Sequence, residues 1–184
     1  MSFASNHVDR TRQAMQALGF RLATAREIAA AHAGAARLIE GPIASAEVMV
    51  GVQARTGCAV FLSSGPGEAP LAAVSAIPLT AHALPALAAG RFDGLAPADR
   101  LITRPGEPPA AIYIWGAAGF TWRGRRLALA ASLAFQRQVH PHLPLYARAA
   151  TADGERVLQR RMGARPAAGG MVCAPPPLAP LRAA

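Results

Sequence analysis

Three arginines crowd into one turn of this chain. Thr121-Trp122-Arg123-Gly124-Arg125-Arg126 follows an apolar run, Ala111 to Gly119, that is β-branched and aromatic in its first half. The run reads as a strand. The residues after it read as an amphipathic helix from about Gly124 to Val139, with Leu127, Ala131, Ala134 and Phe135 on one stripe. A helix that opens just after a strand turns its unpaired N–H groups and its positive dipole end toward the turn. Cations are disfavoured there, so clustered arginines call for an anion. A phosphorylated ligand meets both conditions, because guanidinium pairs bidentately with phosphate oxygens. The competing reading is a solvated helix start that binds nothing.

The placement of charge supports the same region. Residues 1–114 carry nine arginines against eight acids, a net of +1. Residues 115–184 carry ten against two, Asp153 and Glu155, a net of +8. The chain has no lysine: all 19 basic residues are arginine. This is either a coding bias or a preference for planar anion contacts. A basic half attracts polyanions in general, so a phosphorylated cofactor, nucleic acid and an acidic partner all fit the charge.

At 184 residues and 52% apolar composition, the chain can build one domain with a real core. Two cysteines, Cys58 and Cys173, make no disulfide framework. Met1 to Arg10 is polar and charged, unlike a secretory leader, so the expectation is a reduced, cytoplasmic setting. The longest uncharged run, 69–90, is broken by Pro70, Pro78 and Pro85 and does not read as a membrane span.

The elements that would position the basic turn follow from caps and punctuation. Ser5 or Asn6 can cap a first helix ending near Gly19, and Phe20 to Ala23 can form a brief strand. Thr24 and Glu27 have capping-box spacing, opening a helix to about Leu38 with Ile28, Ala31, Ala35 and Leu38 on one face. Residues 45–55 look helical. Strands over 58–62 and 71–77 flank a Ser/Gly/Pro turn as a hairpin. Thr80 can cap a short helix to about Ala89. Residues 90–109 form a long connection anchored by Phe92, Leu95 and Leu101, of the kind that packs over a site. After the basic helix come a strand over 143–149, a helix from Asp153 to Met162, and a last strand from Arg165 to Cys173. One domain over 1–173 and a Pro/Ala-rich tail over 174–184 result.

Other residues that could do chemistry are sparse. His140-Pro141-His142 offers two imidazoles without a nearby acid or cysteine, a poor zinc site. Trp122 can stack on a flat ligand face or serve as rim packing. Tyr113, Tyr146, Glu107 and Asp153 are candidates for proton transfer, each with a plain structural alternative as a core phenol or a turn acid. Thr151 fits an N-cap, with Asp153 or Glu155 in the first turn; the alternative is that Thr151 or Asp153 faces an acyl site at the end of the preceding strand.

Helices, a hairpin, then strand–helix–strand–helix–strand predict an α+β or mixed three-layer domain. The order resembles the GNAT superfamily of acyl-CoA-dependent N-acetyltransferases, which implies a three-layer α/β/α arrangement around a mixed, mostly antiparallel sheet. Residues 19–24 resemble its first strand and helix start, 58–62 and 71–77 its central hairpin, and Ala111 to Gly119 its fourth strand. Thr121 to Arg126 sits where the family has a pyrophosphate loop, usually Gln/Arg-x-x-Gly-x-Gly/Ala; Gly124 matches, while Thr121 and Arg126 depart. Val157 to Ala164 resembles the late-helix ending, with Gln159 where many members have a tyrosine and Ala164 in place of phenylalanine.

The resemblance implies an acetyl-CoA or other acyl-CoA site. The pantetheine arm would lie between splayed fourth and fifth strands against Ala117, Ala118, Gly119 and Thr121. The amides of Arg123, Gly124, Arg125 and Arg126 would cradle the pyrophosphate, with Trp122 beside them. The implied activity moves an acetyl group to an unidentified amine. The alternative is a non-catalytic CoA-binding or protein-interaction module of the same fold, since the fourth strand holds no Asp, Glu or His. A nucleic-acid domain is disfavoured for want of interleaved aromatics. The high apolar fraction allows a homodimer.

Overall fold

The structure is a computed structural model that describes residues 6–39, 41–65 and 70–177. The alternative cap Ser5, part of the expected 63–68 turn and residues 178–184 of the tail lie outside the described residues.

Asn6 opens the first helix: its side-chain oxygen accepts from the Val8 amide, and α1 runs His7–Ala17. β1 is Arg21–Leu22. Thr24 and Glu27 form the capping box that their spacing predicts, and α2 runs Ala25–Ala35. It stops short of Leu38, which is 49% exposed and no part of the apolar face. Ser45 caps α3, Ala46–Thr56, and Gly57 ends it in the left-handed conformation. β2 is Val60–Ser64 and β3 is Pro70–Leu79.

Thr80 caps nothing. Its hydroxyl donates to the Arg100 carbonyl, tying the long connection to the end of β3. A tight turn over Ala81–Ala83 leads into α4, Leu84–Ala88. Phe92 is buried and Leu101 half-buried, but Leu95 is exposed and does not anchor the connection. β4 spans Ala111–Gly119 and α5 spans Trp122–Ala134. A single π turn, Phe135–Val139, extends α5. β5 is Leu145–Ala147 and α6 is Ala152–Met162. The single last strand expected from Arg165 to Cys173 is two short ones, β6 Arg165–Pro166 and β7 Val172–Ala174. Gly169 and Gly170 between them take φ of 66° and 71°, a backbone that turns the chain back.

The fold is α+β: a seven-stranded open sheet in the order β1-β2-β3-β4-β5-β7-β6, with six α-helices among the described residues. Every pairing is antiparallel except β4 with β5. Strand alternation gives two apolar faces. Phe61, Val74, Ile112, Leu145 and Val172 meet Met15 of α1, Ala131 of α5 and Met162 of α6 in one core. Leu62, Ile77, Leu79, Tyr113 and Met171 meet Ile28 of α2, Val52 of α3 and Leu87 of α4 in the other.

Two glycines let α5 begin where it does. A Cβ at Gly119 would stand 2.2 Å from the Arg125 nitrogen, and one at Gly124 would stand 1.8 Å from the Leu71 carbonyl oxygen. The first turn of α5 therefore lies directly on the backbone of β3 and of the β4 end. Gly119→Ala and Gly124→Ala should each cost about 2 kcal/mol or more in urea denaturation, because backbone and not side chain must move. Gly51→Ala, in the exposed middle of α3 with nothing within 4 Å, should instead stabilise by about 0.5–1 kcal/mol. Equal effects at the three positions would contradict this packing.

Candidate functional site

The site is built on a mismatch of strand lengths. β4 pairs with β3 from Ala111 to Gly119 but with β5 only over Ile112 to Ile114. Beyond Ile114 its β5-facing edge has no partner among the described residues. The Phe120 amide donates to the Leu71 carbonyl at 2.9 Å, toward β3. Antiparallel alternation then turns the amides of Ala117 and Gly119 away from β3, onto the open edge. Ala117 is exposed and Gly119 half-buried, so among the described residues that edge is left accessible.

Where the edge begins, β4 carries an extra residue. Ser75 pairs with Gly116 and Ala76 with Ile114, so Trp115 is bulged. The Trp115 indole N–H donates to the Gly94 carbonyl at 2.6 Å, which pins the 90–109 connection against the bulge. The Ser75 hydroxyl donates to the Gly116 carbonyl at 3.4 Å. The apolar run from Ala111 predicts a plain strand, and the structure departs from it at this bulge. The signal for the bulge was Gly116, a glycine inside a strand pattern.

Where the edge ends, α5 begins. Thr121 is its N-cap, and its side-chain oxygen accepts from the Gly124 amide at 3.0 Å. The Arg125 amide donates to the Thr121 carbonyl at 2.9 Å. These bonds narrow the sequence expectation of a cradle over Arg123 to Arg126: the amides of Gly124 and Arg125 are already engaged, as is that of Arg126 inside the helix. The amides of Trp122 and Arg123 remain for a ligand. Arg123, Arg125 and Arg126 are all exposed. The Arg126 guanidinium carbon lies 5.0 Å from the centre of the Trp122 ring, and Trp122 itself is 72% exposed. Ala118 is buried on the α2 side of the sheet. The arrangement can therefore pair an extended chain of amide groups along β4 and hold a phosphate at its end.

Of the proton-transfer candidates, Tyr113 and Tyr146 are brought together as partners on β4 and β5, while Asp153 and Glu107 are engaged within their own turns. Tyr113 is 5% exposed, packs on Phe92 at 4.9 Å between ring centres and lies under Gly94. Burial pushes its phenol above the ordinary range, Arg148 lowers it and Asp93 raises it, so it stays protonated at neutral pH. Tyr146 stands beside it on β5, and Cys173 stands beside Tyr146 on β7. Burial and the Cys173 contact raise the Tyr146 phenol. Asp153 is exposed in the first turn of α6 and paired with Arg156. Thr151 is the α6 cap, its side chain accepting from Gly154 at 3.0 Å. Glu107 lies in an exposed turn, accepting from the Arg104 amide. Gln159 is exposed and donates to Glu155.

A cavity of about 240 Å³ lies between α1, β1 and β2, lined by Arg12, Gln16, Phe20, Arg21, Leu22 and Phe61. It is at the far end of the sheet from β5 and is separate from this site. No cluster of three or more His, Cys, Asp or Glu able to hold a metal occurs among the described residues, and no helix among them is long and apolar enough to cross a membrane.

The contrast between the two tryptophans is directly measurable. Trp122→Phe should remove most of the acrylamide-quenchable fluorescence and leave the far-ultraviolet spectrum unchanged. Quenching that stays with Trp115 would contradict the placement of α5's first turn. Comparison of the chain with family models, with curated proteins and with solved structures found no match.

Proposed function

We propose that the protein is an acyl-CoA-dependent N-acyltransferase of the GNAT type, acting on an amine acceptor. One observation carries the reading: the unpaired edge of β4 runs directly into the start of α5, where two free amides and three exposed arginines converge. A pantetheine arm has amide groups at the spacing of an extended chain. The N–H and C=O groups of Ala117 and Gly119 would pair with them as a missing strand would. The pyrophosphate would meet the Trp122 and Arg123 amides, with guanidinium groups of Arg123 and Arg125 as further partners. Trp122, held open beside Arg126, offers a face for the adenine.

The acyl thioester supplies an activated carbonyl carbon. An amine nitrogen bonds to that carbon, the carbon–sulfur bond breaks, and the thiol leaves with a proton. The ammonium proton must go elsewhere first. No acid or imidazole of β4 can take it, so water in the open gap is the route that fits these residues.

A second reading keeps the ligand and drops the chemistry. The same lack of a base, together with an exposed Gln159 and a deeply buried Tyr113, favours a CoA-binding module without turnover. Release of free thiol from acetyl-CoA across an amine panel separates the two.

Calorimetric titration with acetyl-CoA should give one-to-one binding in the micromolar range. Arg123→Glu combined with Arg125→Glu should weaken it on the order of 100-fold with the fold intact, since two charge-assisted contacts become repulsive. Unchanged affinity in that variant would overturn the placement. Absence of binding to the unaltered protein at millimolar ligand would overturn the function.

A further inference from the structure

Buried polar atoms without partners gather where α1 meets the π turn. His7 Nε2 and Arg10 Nε belong to α1, and His140 Nδ1 belongs to the residue that caps the π turn. The two imidazoles lie 6.4 Å apart between ring centres, tilted by 46°. His7 is 5% exposed and His140 2%. The His140 amide donates to the Phe135 carbonyl, so its backbone is fixed by the turn. Asn6 fixes the other side, accepting from both Val8 and Gly106 and so clamping the start of α1 to the 104–107 turn.

We infer that this buried His7–His140 contact is an acid-sensitive latch: protonation of either ring buries a cation beside Arg10, protonation of both sets the rings' like charges against one another, and α1 is freed from the π turn. The charged and titratable groups facing the pair come from three directions. Arg10 of α1 acts on both rings, His142 acts on His140 from the loop beyond the π turn, and Glu107 acts on His7 from the 104–107 turn. Glu107 is the one favourable partner among them, and it faces only one ring. A buried cation is stable only when paired, and His140 has no such partner.

The direction with pH follows. Burial, then His7, Arg10 and His142, push His140 from the ordinary 6.5 down to about 3, and burial and Arg10 lower His7. A histidine freed by undocking returns to its ordinary range near 6.5. The docked contact therefore contributes fully above pH 6.5 and loses its contribution as pH falls from 6.5 toward 3. For each ring that stays neutral when docked, the opening constant rises about tenfold per pH unit across that window. α1 is also anchored away from the histidines: Arg12 donates to the Gly57 carbonyl at 2.7 Å, and Met15 is fully buried.

Hydrogen exchange on the unaltered protein at pH 7.5 and pH 5, corrected for intrinsic rates, tests the latch. The expected result is a loss of protection of tenfold or more within α1, with β3 and β4 unchanged. His140→Phe, which keeps an aromatic ring and removes one of the two proton sites, should recover part of the α1 protection at pH 5, and the remaining loss belongs to His7. Three results would overturn the inference: α1 equally protected at both pH values, α1 losing protection only together with β3 and β4, or a His140 resonance titrating near 6.5 in the docked protein. The first two and the last need no variant, so a His140→Phe chain that failed to fold would leave the test intact.

Discussion

β4 is three times as long as the strand beside it, and the rest of the site depends on that inequality. On one side eight of its nine residues pair with β3, with Trp115 bulged; on the other, β5 supplies three. Backbone amides seek partners wherever they are shielded from water, so a strand edge left open beside a helix start offers its N–H and C=O groups to an incoming chain. β5 cannot be extended to fill it, because the chain leaves the sheet after Ala147 and enters α6 at Ala152. The gap is thus a product of topology, fixed by where β5 stops.

Two further constraints give the gap its chemistry. Gly119 and Gly124 bring α5 down onto β3, so the helix axis starts at the end of the open edge. The bulge at Trp115 re-aims β4 at the other end and receives the 90–109 connection through the bond to Gly94. Between these two fixed points lie the amides of Ala117 and Gly119. The arginines then matter for a reason of sign. Each positive charge in the first turn of a helix opposes its dipole by about 0.3–1 kcal/mol, and an anion bound at the same turn reverses that. The N-cap bond from Gly124 to Thr121 and the Trp122–Arg126 contact reduce the strain without supplying that anion.

Much of the frame was legible from local chemistry. The Thr24–Glu27 capping box, the Asn6 and Thr151 caps and the apolar stripe of α5 are short-range rules, and the structure follows them. Gly124 was legible as a required residue for a different reason: its place in a loop pattern pointed to a ligand, whereas contact with the Leu71 carbonyl already excludes any side chain there. What depends on distant partners was not legible. Thr80 looks like a cap but is recruited by Arg100, twenty residues on. Leu95 has an anchor's composition but faces solvent, and the Gly94 carbonyl and Phe92 take the anchoring role. The π turn at Phe135–Val139 leaves no mark in an apolar periodicity read at 3.6 residues. The His7–His140 contact joins residues 133 positions apart, and no local pattern signals it.

The central claim is that the open edge of β4 is where an acyl-CoA pairs with the chain. Amide-resolved NMR with ¹⁵N-labelled protein and acetyl-CoA tests it most directly. The account predicts that the Ala117, Gly119, Trp122 and Arg123 amides shift and become protected from exchange, while Gly124 and Arg125, already bonded to Thr121, change little in protection. Binding that leaves Ala117 and Gly119 unperturbed, or that perturbs the α1–β1 cavity around Phe20 and Leu22 instead, would contradict it.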